Sequence, residues 1–315
     1  MSNKLATRLP EEELISEWQK MLQLDVKAGD ISETTGATYR RGMNKFMTWL
    51  RSQNVDRVSA DVIQHWKADL REQGRTPSAI NTWLAGVKRF FEWAVGTGLL
   101  EVNPTAGVKG VKRKGTKKKH LRDALTDREV LRVLSQPSQD TPQGSRDYAV
   151  LCLMAFCALR TIEIHRADLA DLSTIDGLPV LRVQGKGSAE KDEIAVVAHP
   201  RAQEALYDWL ADRGNEPGAL FTSFSDRSRG ARLSVSALRH MVIDYYRKAG
   251  IVDPRKTTHS LRHSAISKVA KHNIMKAKQV ARHESIDSTM IYVHENDRLN
   301  DPGEQFIDYV NGNGE

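Results

Sequence analysis

Four short stretches in the second half of the chain carry six side chains of the types that phosphodiester chemistry needs. "CALRTIEIHRADL" holds Arg160, with Glu163 three residues on; "VQGKGSAEK" holds Lys186 between two glycines, with Lys191 in the same turn. "THSLRHS" holds His259 and Arg262, and "VARHESIDSTMIYVHE" holds His283 and, nine residues later, Tyr292. A phosphodiester resists attack because its oxygens are negative. As a nucleophile arrives, the pentacoordinate phosphorane concentrates charge on the non-bridging oxygens. Two guanidiniums clamp those oxygens bidentately, which lysines do less well, and Arg160 and Arg262 are the candidates. Fixed donors of this type contribute on the order of 3–4 kcal/mol each in other enzymes. His259 and His283 can add donors, and one of them can take the tyrosine proton. Tyr292 needs that help, because the ordinary tyrosine pKa is about 10. The leaving alkoxide needs a proton. Lys186, at the tip of an expected hairpin, fits as general acid, and Lys191 is the competing candidate. Glu163 is placed to orient a catalytic arginine or histidine.

Such a reaction needs neither ATP nor a metal. Accordingly the sequence has no P-loop, no GKS/T and no paired-carboxylate metal motif. Histidines stand at 259, 263, 272, 283 and 294, but Arg262 beside the His259/His263 pair repels a cation, so no metal and no cofactor is expected. The two cysteines, Cys152 and Cys157, lie in the apolar run "AVLCLMAFCAL" and read as core packing rather than a disulfide.

At 315 residues, two domains are the default expectation. Residues 11–103 read as a bundle of about four helices. Apolar residues recur at helical spacing at Leu14, Ile15, Trp18, Met21 and Leu22, then at Tyr39, Met43, Phe46, Met47 and Leu50. Ser59 caps a third helix that Gly74 stops, and Thr76 with Pro77 opens a fourth. Trp18, Trp49, Trp66, Trp83 and Trp93 are assigned to this core. A basic stretch follows, "NPTAGVKGVKRKGTKKKHLRDAL", with Lys109, Lys112, Arg113, Lys114, Lys117, Lys118 and Lys119. Like charges repel and keep such a block extended, which reads as an interdomain linker suited to phosphate contacts. Net charge agrees: 47 Lys+Arg against 40 Asp+Glu, or +7, suits a polyanion.

The second domain opens with a Thr126/Glu129 capping box. A nearly all-apolar helix around 146–158 reads as central, and a β-hairpin follows within "LPVLRVQGKGSAEKDEIAVVAHP". Helices are expected at about 199–213, 234–249, 259–272 and 275–282, with a turn between short helices around Asp287, Ser288 and Thr289. Arg160 and Glu163 are expected on one helix face. No apolar signal core opens the chain, and the longest apolar run, near 149–159, is too short for a bilayer. The reading is a soluble protein of a reducing compartment.

Taken singly, each of the four stretches is an ordinary structural pair. In this order, the set Arg160, Lys186, His259, Arg262, His283 and Tyr292 resembles the tyrosine recombinase (phage integrase) family. The likeness covers about 123–295, and the helical bundle and basic linker are similar to that family's core-binding half. The chain departs from the usual Gly-Leu-Arg and Leu-Gly-His with "ALR" and "ARH", which sets a bulky Arg282 beside His283.

The resemblance implies a mainly α fold with a small β-sheet. Residues 1–105 form the helical, SAM-like core-binding domain and 106–122 the basic linker. Residues 123–298 form the α+β catalytic domain, and 299–315 a tail that docks on a neighbouring subunit through Phe306, Ile307 and Val310. It also implies strand exchange through a 3′-phosphotyrosyl bond and a Holliday junction, for a mobile element, phage or plasmid. The implied partners are double-stranded DNA at a specific site, further copies of the chain (a dimer on a site, a tetramer in the synapse) and accessory DNA-bending proteins, in the prokaryotic cytoplasm or nucleoid, with no membrane. Two alternatives share the fold: a type IB topoisomerase, and a DNA-binding regulator without catalysis.

Overall fold

The computed structural model describes residues 7–8, 12–112, 124–185, 188 and 190–290. Lys186, Tyr292, His294, the linker cations Arg113, Lys114, Lys117, Lys118 and Lys119, and the tail 299–315 lie outside the described residues. The chain forms two compact units, Met1–Lys117 and Lys118–Glu315.

The first unit pairs a short strand β1 (Thr7–Arg8) with β2 (Arg57–Val58), around helices α1 (Glu12–Ala28), α2 (Glu33–Ser52), α3 (Ala60–Glu72) and α4 (Pro77–Gly96). The caps follow local chemistry. The Ser59 hydroxyl accepts from the Val62 amide and the Thr76 hydroxyl from the Ala79 amide, and Gly74, just past α3, has φ +74°. Trp18, Phe46, Trp66, Phe90 and Phe91 are fully buried. Trp49, Trp83 and Trp93, assigned with them to the core, pack against it from its edge and are only partly buried. The Trp49 indole donates to Asp69, 2.7 Å away. α2 and α4 touch backbone to backbone. A Cβ on Gly42 would overlap the Trp83 carbonyl, and one on Gly86 would overlap the Tyr39 carbonyl.

The start of the expected linker belongs to this unit. Val108 is buried in its core, the Lys67 ammonium donates to the Lys109 carbonyl, and the Asn81 side chain exchanges two hydrogen bonds with the Val111 backbone. Residues 108–111 are thus tied to the helices of this unit. A buried ammonium and a side-chain amide satisfy their backbone groups.

The second unit is helical with a small sheet. It contains α5 (Asp127–Leu134), α6 (Pro142–Phe156), α7 (Thr161–Arg166), a 3-10 turn at Leu169–Asp171, and strands β3 (Leu172–Ile175), β4 (Leu178–Val183) and β5 (Glu193–Val196). Then come α8 (Pro200–Arg213), α9 (Val235–Lys248), α10 (His259–His272), α11 (Ile274–Ala281) and α12 (Asp287–Met290). The expected hairpin is β4–β5, with Val180 opposite Val196. β3 adds a third antiparallel strand through the tight turn Asp176-Gly177, both at positive φ. Central α6 is buried along most of its length, and Cys152 and Cys157 are free thiols in the core. Among the described residues no helix is long and apolar enough to cross a membrane.

Candidate active site

The candidate site is assembled where two backbone turns meet. One turn leads out of α6 through Ala158 into Arg160; the other ends α11 at Ala281-Arg282-His283. Ala158 and Ala281, from the two turns, form one fully buried cluster with Ile266 and Ala277. The alanine side chains of α11 let it pack close to Ile266 of α10.

Arg160 does not lie on a helix face, as its spacing from Glu163 implied. It is the extended N-cap residue of α7, with φ −78° and ψ 150°. Glu163, in the first turn of α7, reaches back to it. Oε2 accepts from the Arg160 amide at 2.8 Å and Oε1 from the Arg160 guanidinium at 2.5 Å. A carboxylate in the first turn also suits the positive end of the helix. The Arg160 side chain remains 23% exposed, enough to meet a ligand, while that of Glu163 is 1% exposed.

Arg262 sits one turn into α10, which His259 opens. Its guanidinium donates to the Ala158 and Ala281 carbonyls and lies 3.5 Å from His283 Nε2. Arg160 also donates to the Ala281 carbonyl, at 3.4 Å. The two arginines are thus keyed to the same pair of turns. The other ring nitrogen of His283, Nδ1, is 3.0 Å from the hydroxyl of fully buried Thr289 on α12. Thr289, unmarked by any sequence signal, therefore orients the imidazole.

Arg282 is the main departure from expectation. It has φ +51°, as does Ala158. A non-glycine residue costs roughly 1–2 kcal/mol in that region. Instead of crowding His283 from outside, the side chain turns inward and is 5% exposed. Its guanidinium donates to Glu163 Oε2 at 2.8 Å, to the Val280 carbonyl at 3.0 Å, to Ala158 at 3.2 Å and to Cys157 at 3.3 Å. Burial pushes the Glu163 carboxyl up. The charge of Arg282, then the Arg160 amide and the charges of Arg160 and Arg262, outweigh burial and hold it below its ordinary value. Sequence reasoning missed this role because direction, not residue type, decides it.

Lys191 is committed elsewhere. Its ammonium donates to Asp171, to Asp168 at 3.0 Å and to the Arg166 carbonyl at 2.8 Å. Burial pulls its pKa down, but the hydrogen bonds to Asp171 and Asp168 prevail and hold it above the usual lysine value. Among the described residues no group of three or more His, Cys, Asp and Glu side chains is placed to hold a metal ion. Lys109 and Lys112 are the described members of the basic stretch. In the first unit, an open cleft of about 830 Å³ is lined by Arg40, Arg41, Lys45, Trp49, Arg75 and Trp83, with the Lys45 ammonium 4.7 Å from the centre of the Trp83 ring.

Comparison with known proteins agrees with this architecture. The chain is 29% identical over 274 residues to tyrosine recombinase XerC of Chromohalobacter salexigens, covering 84% of this chain and 87% of that protein. It is 29% identical over 277 residues to tyrosine recombinase XerD of Pseudomonas putida, with the same coverage. The fold is similar to that of the XerH site-specific recombinase bound to palindromic difH substrate in a post-cleavage complex (TM-score 0.67, 16% identity, 93% of this chain and 88% of that one). It is also similar to a lambda integrase dimer bound to a COC′ core site (TM-score 0.67, 15% identity, 93% and 79%). The N-terminal SAM-like domain of phage integrases matches residues 15–98 and the phage integrase family itself matches residues 123–298, more than half of the chain, which therefore belongs to the phage integrase family of tyrosine recombinases.

Proposed function

We propose that the protein breaks and rejoins DNA strands at a specific site through a covalent 3′-phosphotyrosyl intermediate. The observation that carries this reading is the keying of Arg160 and Arg262 to the same two turns, with His283 3.5 Å from Arg262. Two guanidiniums fixed by backbone carbonyls are preorganised to receive the charge that grows on a phosphorane's non-bridging oxygens. Tyr292 attacks the scissile phosphate. The phosphorus–O5′ bond breaks, and a free 5′-hydroxyl leaves. The energy of the diester is kept in the phosphotyrosyl bond, so religation to another strand needs no ATP and no metal.

His259 and His283 donate to the phosphoryl oxygens, and one of them takes the tyrosine proton. Lys186 protonates the leaving O5′. Lys191 is the weaker candidate, because two carboxylates and a carbonyl already take its protons. Double-stranded DNA is the substrate. Lys109 and Lys112, with Arg113, Lys114, Lys117, Lys118 and Lys119, supply phosphate contacts. The cationic, tryptophan-lined cleft of the first unit supports a second set of contacts. Two copies on a site and four in a synapse exchange strands through a Holliday junction, and mobility of a genetic element is the use that fits.

The test uses a duplex enriched from a randomised pool by binding to the wild-type protein, then nicked to trap the intermediate. Wild-type protein should yield a covalent adduct, and Tyr292→Phe should bind the duplex equally well and yield none. An adduct at wild-type level from Tyr292→Phe removes Tyr292 from its role. No adduct from the wild-type protein favours a non-catalytic DNA-binding regulator.

A further inference from the structure

Glu163 presents two oxygens, and Arg160 uses only part of them. The Arg160 guanidinium takes Oε1, while Oε2 is shared by the Arg160 amide and Arg282. A carboxylate and a guanidinium left alone form a fork-to-fork pair with two parallel hydrogen bonds. Such a pair would draw Arg160 inward and spend on Glu163 the donors that a phosphate requires. Arg282 stands in the way of that arrangement. Both its side chain and that of Glu163 are all but sealed from water. Its remaining donors span the two turns, to Cys157 and Ala158 on one side and Val280 on the other. Arg262 is keyed to those same turns through Ala158 and Ala281. On the far side, Arg282 Nε lies 3.8 Å from Glu193 Oε2 at the start of β5, and both atoms are buried without a hydrogen-bond partner among the described residues.

We infer that Arg282 is a positioning residue of the phosphate site. It occupies Glu163 Oε2 and braces the Ala158 and Ala281 turns, so that Arg160 keeps donors free for DNA and the spacing between Arg160 and Arg262 is held. This rests on the proposed phosphodiester reaction. It requires the guanidinium fork and not merely positive charge, since one side chain serves a carboxylate and three carbonyls at once.

The experiment compares Arg282→Gly, Arg282→Lys, Glu163→Gln and the Arg282→Gly/Glu163→Gln double variant on the nicked duplex enriched with the wild-type protein. Duplex affinity and the single-turnover rate of adduct formation are measured separately. Arg282→Gly should bind within about twofold of wild type and form adduct on the order of 10-fold more slowly. Arg282→Lys should recover part of that loss. In the Glu163→Gln background, Arg282→Gly should cost less than about threefold, because the carboxylate that it guards is gone. A wild-type rate for Arg282→Gly overturns the inference. So does a loss confined to affinity, full rescue by lysine, or an equal loss in both backgrounds. If Arg282→Gly does not fold, the lysine variant decides alone: an unchanged rate overturns the inference, and a slower rate at unchanged affinity supports it. Failure of the wild-type protein to form adduct overturns the functional reading itself, and the role of Arg282 falls with it.

Discussion

The α2–α4 crossing and the two turns of the candidate active site are both places where backbone segments nearly touch, and they use opposite residues. At the crossing, Gly42 and Gly86 each face a carbonyl of the other helix, with no room for a Cβ. At the site, Ala158 and Arg282 hold φ +51°, a conformation suited to glycine, yet neither is one. Overlap with a carbonyl cannot be relieved without moving a helix. A left-handed φ costs only roughly 1–2 kcal/mol, and a side chain that makes enough contacts offsets it. Arg282 does so with one carboxylate and three carbonyls. Space therefore dictates glycine more strictly than torsion does.

The largest expected effect breaks the crossing. Gly86→Ala should lower stability of the first unit by about 1–3 kcal/mol, as overpacking does. Denaturant titration followed by tryptophan fluorescence measures it, and an unchanged midpoint would mean that the helices part at little cost. The next tests the charge side of the comparison. The Glu163 carboxyl is held below its ordinary 4.5 in the folded state, so the unfolded chain binds the proton more readily. Its contribution to stability is complete above pH 4.5 and is lost as pH falls through the lowered folded value. Wild-type protein should lose stability over that acid window, and Glu163→Gln should show a shallower dependence in the same denaturation series. A parallel slope in the two proteins would place the acid sensitivity elsewhere. The smallest effect isolates torsion. Ala158→Gly should raise stability by about 0.5–1 kcal/mol, the relief of φ less the added freedom of the unfolded chain. Because the Ala158 carbonyl that serves Arg262 and Arg282 is retained, DNA cleavage should stay at the wild-type rate. A destabilised Ala158→Gly would show that the alanine methyl packs for more than its torsion costs.

Much of the helical frame was legible because its signals are local. Ser59, Thr76 and Thr126 cap helices as their hydroxyls suggest, and Gly74 ends one at positive φ. The range expected for α10, 259–272, matches its bounds. Strand β3 was not legible. Its Ser173, Thr174 and Ile175 are exposed, so no alternation of apolar and polar residues marks it, and it is held by pairing with β4. The helical placing of Arg160 failed because an i,i+3 pair also describes a cap residue and the carboxylate that reaches back to it.

The order of the candidate site residues, the helical periodicity and the basic balance of the chain can all be read from the amino-acid sequence alone. Each depends only on side-chain type and near-neighbour spacing. Tertiary structure alone decided that Arg160 and Arg262 share the Ala281 carbonyl, that Lys191 is spent on Asp168 and Asp171, and that Arg282 turns inward to Glu163. These contacts join residues as much as 121 positions apart. Which of several carbonyls or carboxylates a cation reaches is settled by how the turns that carry them pack, and no local pattern encodes that.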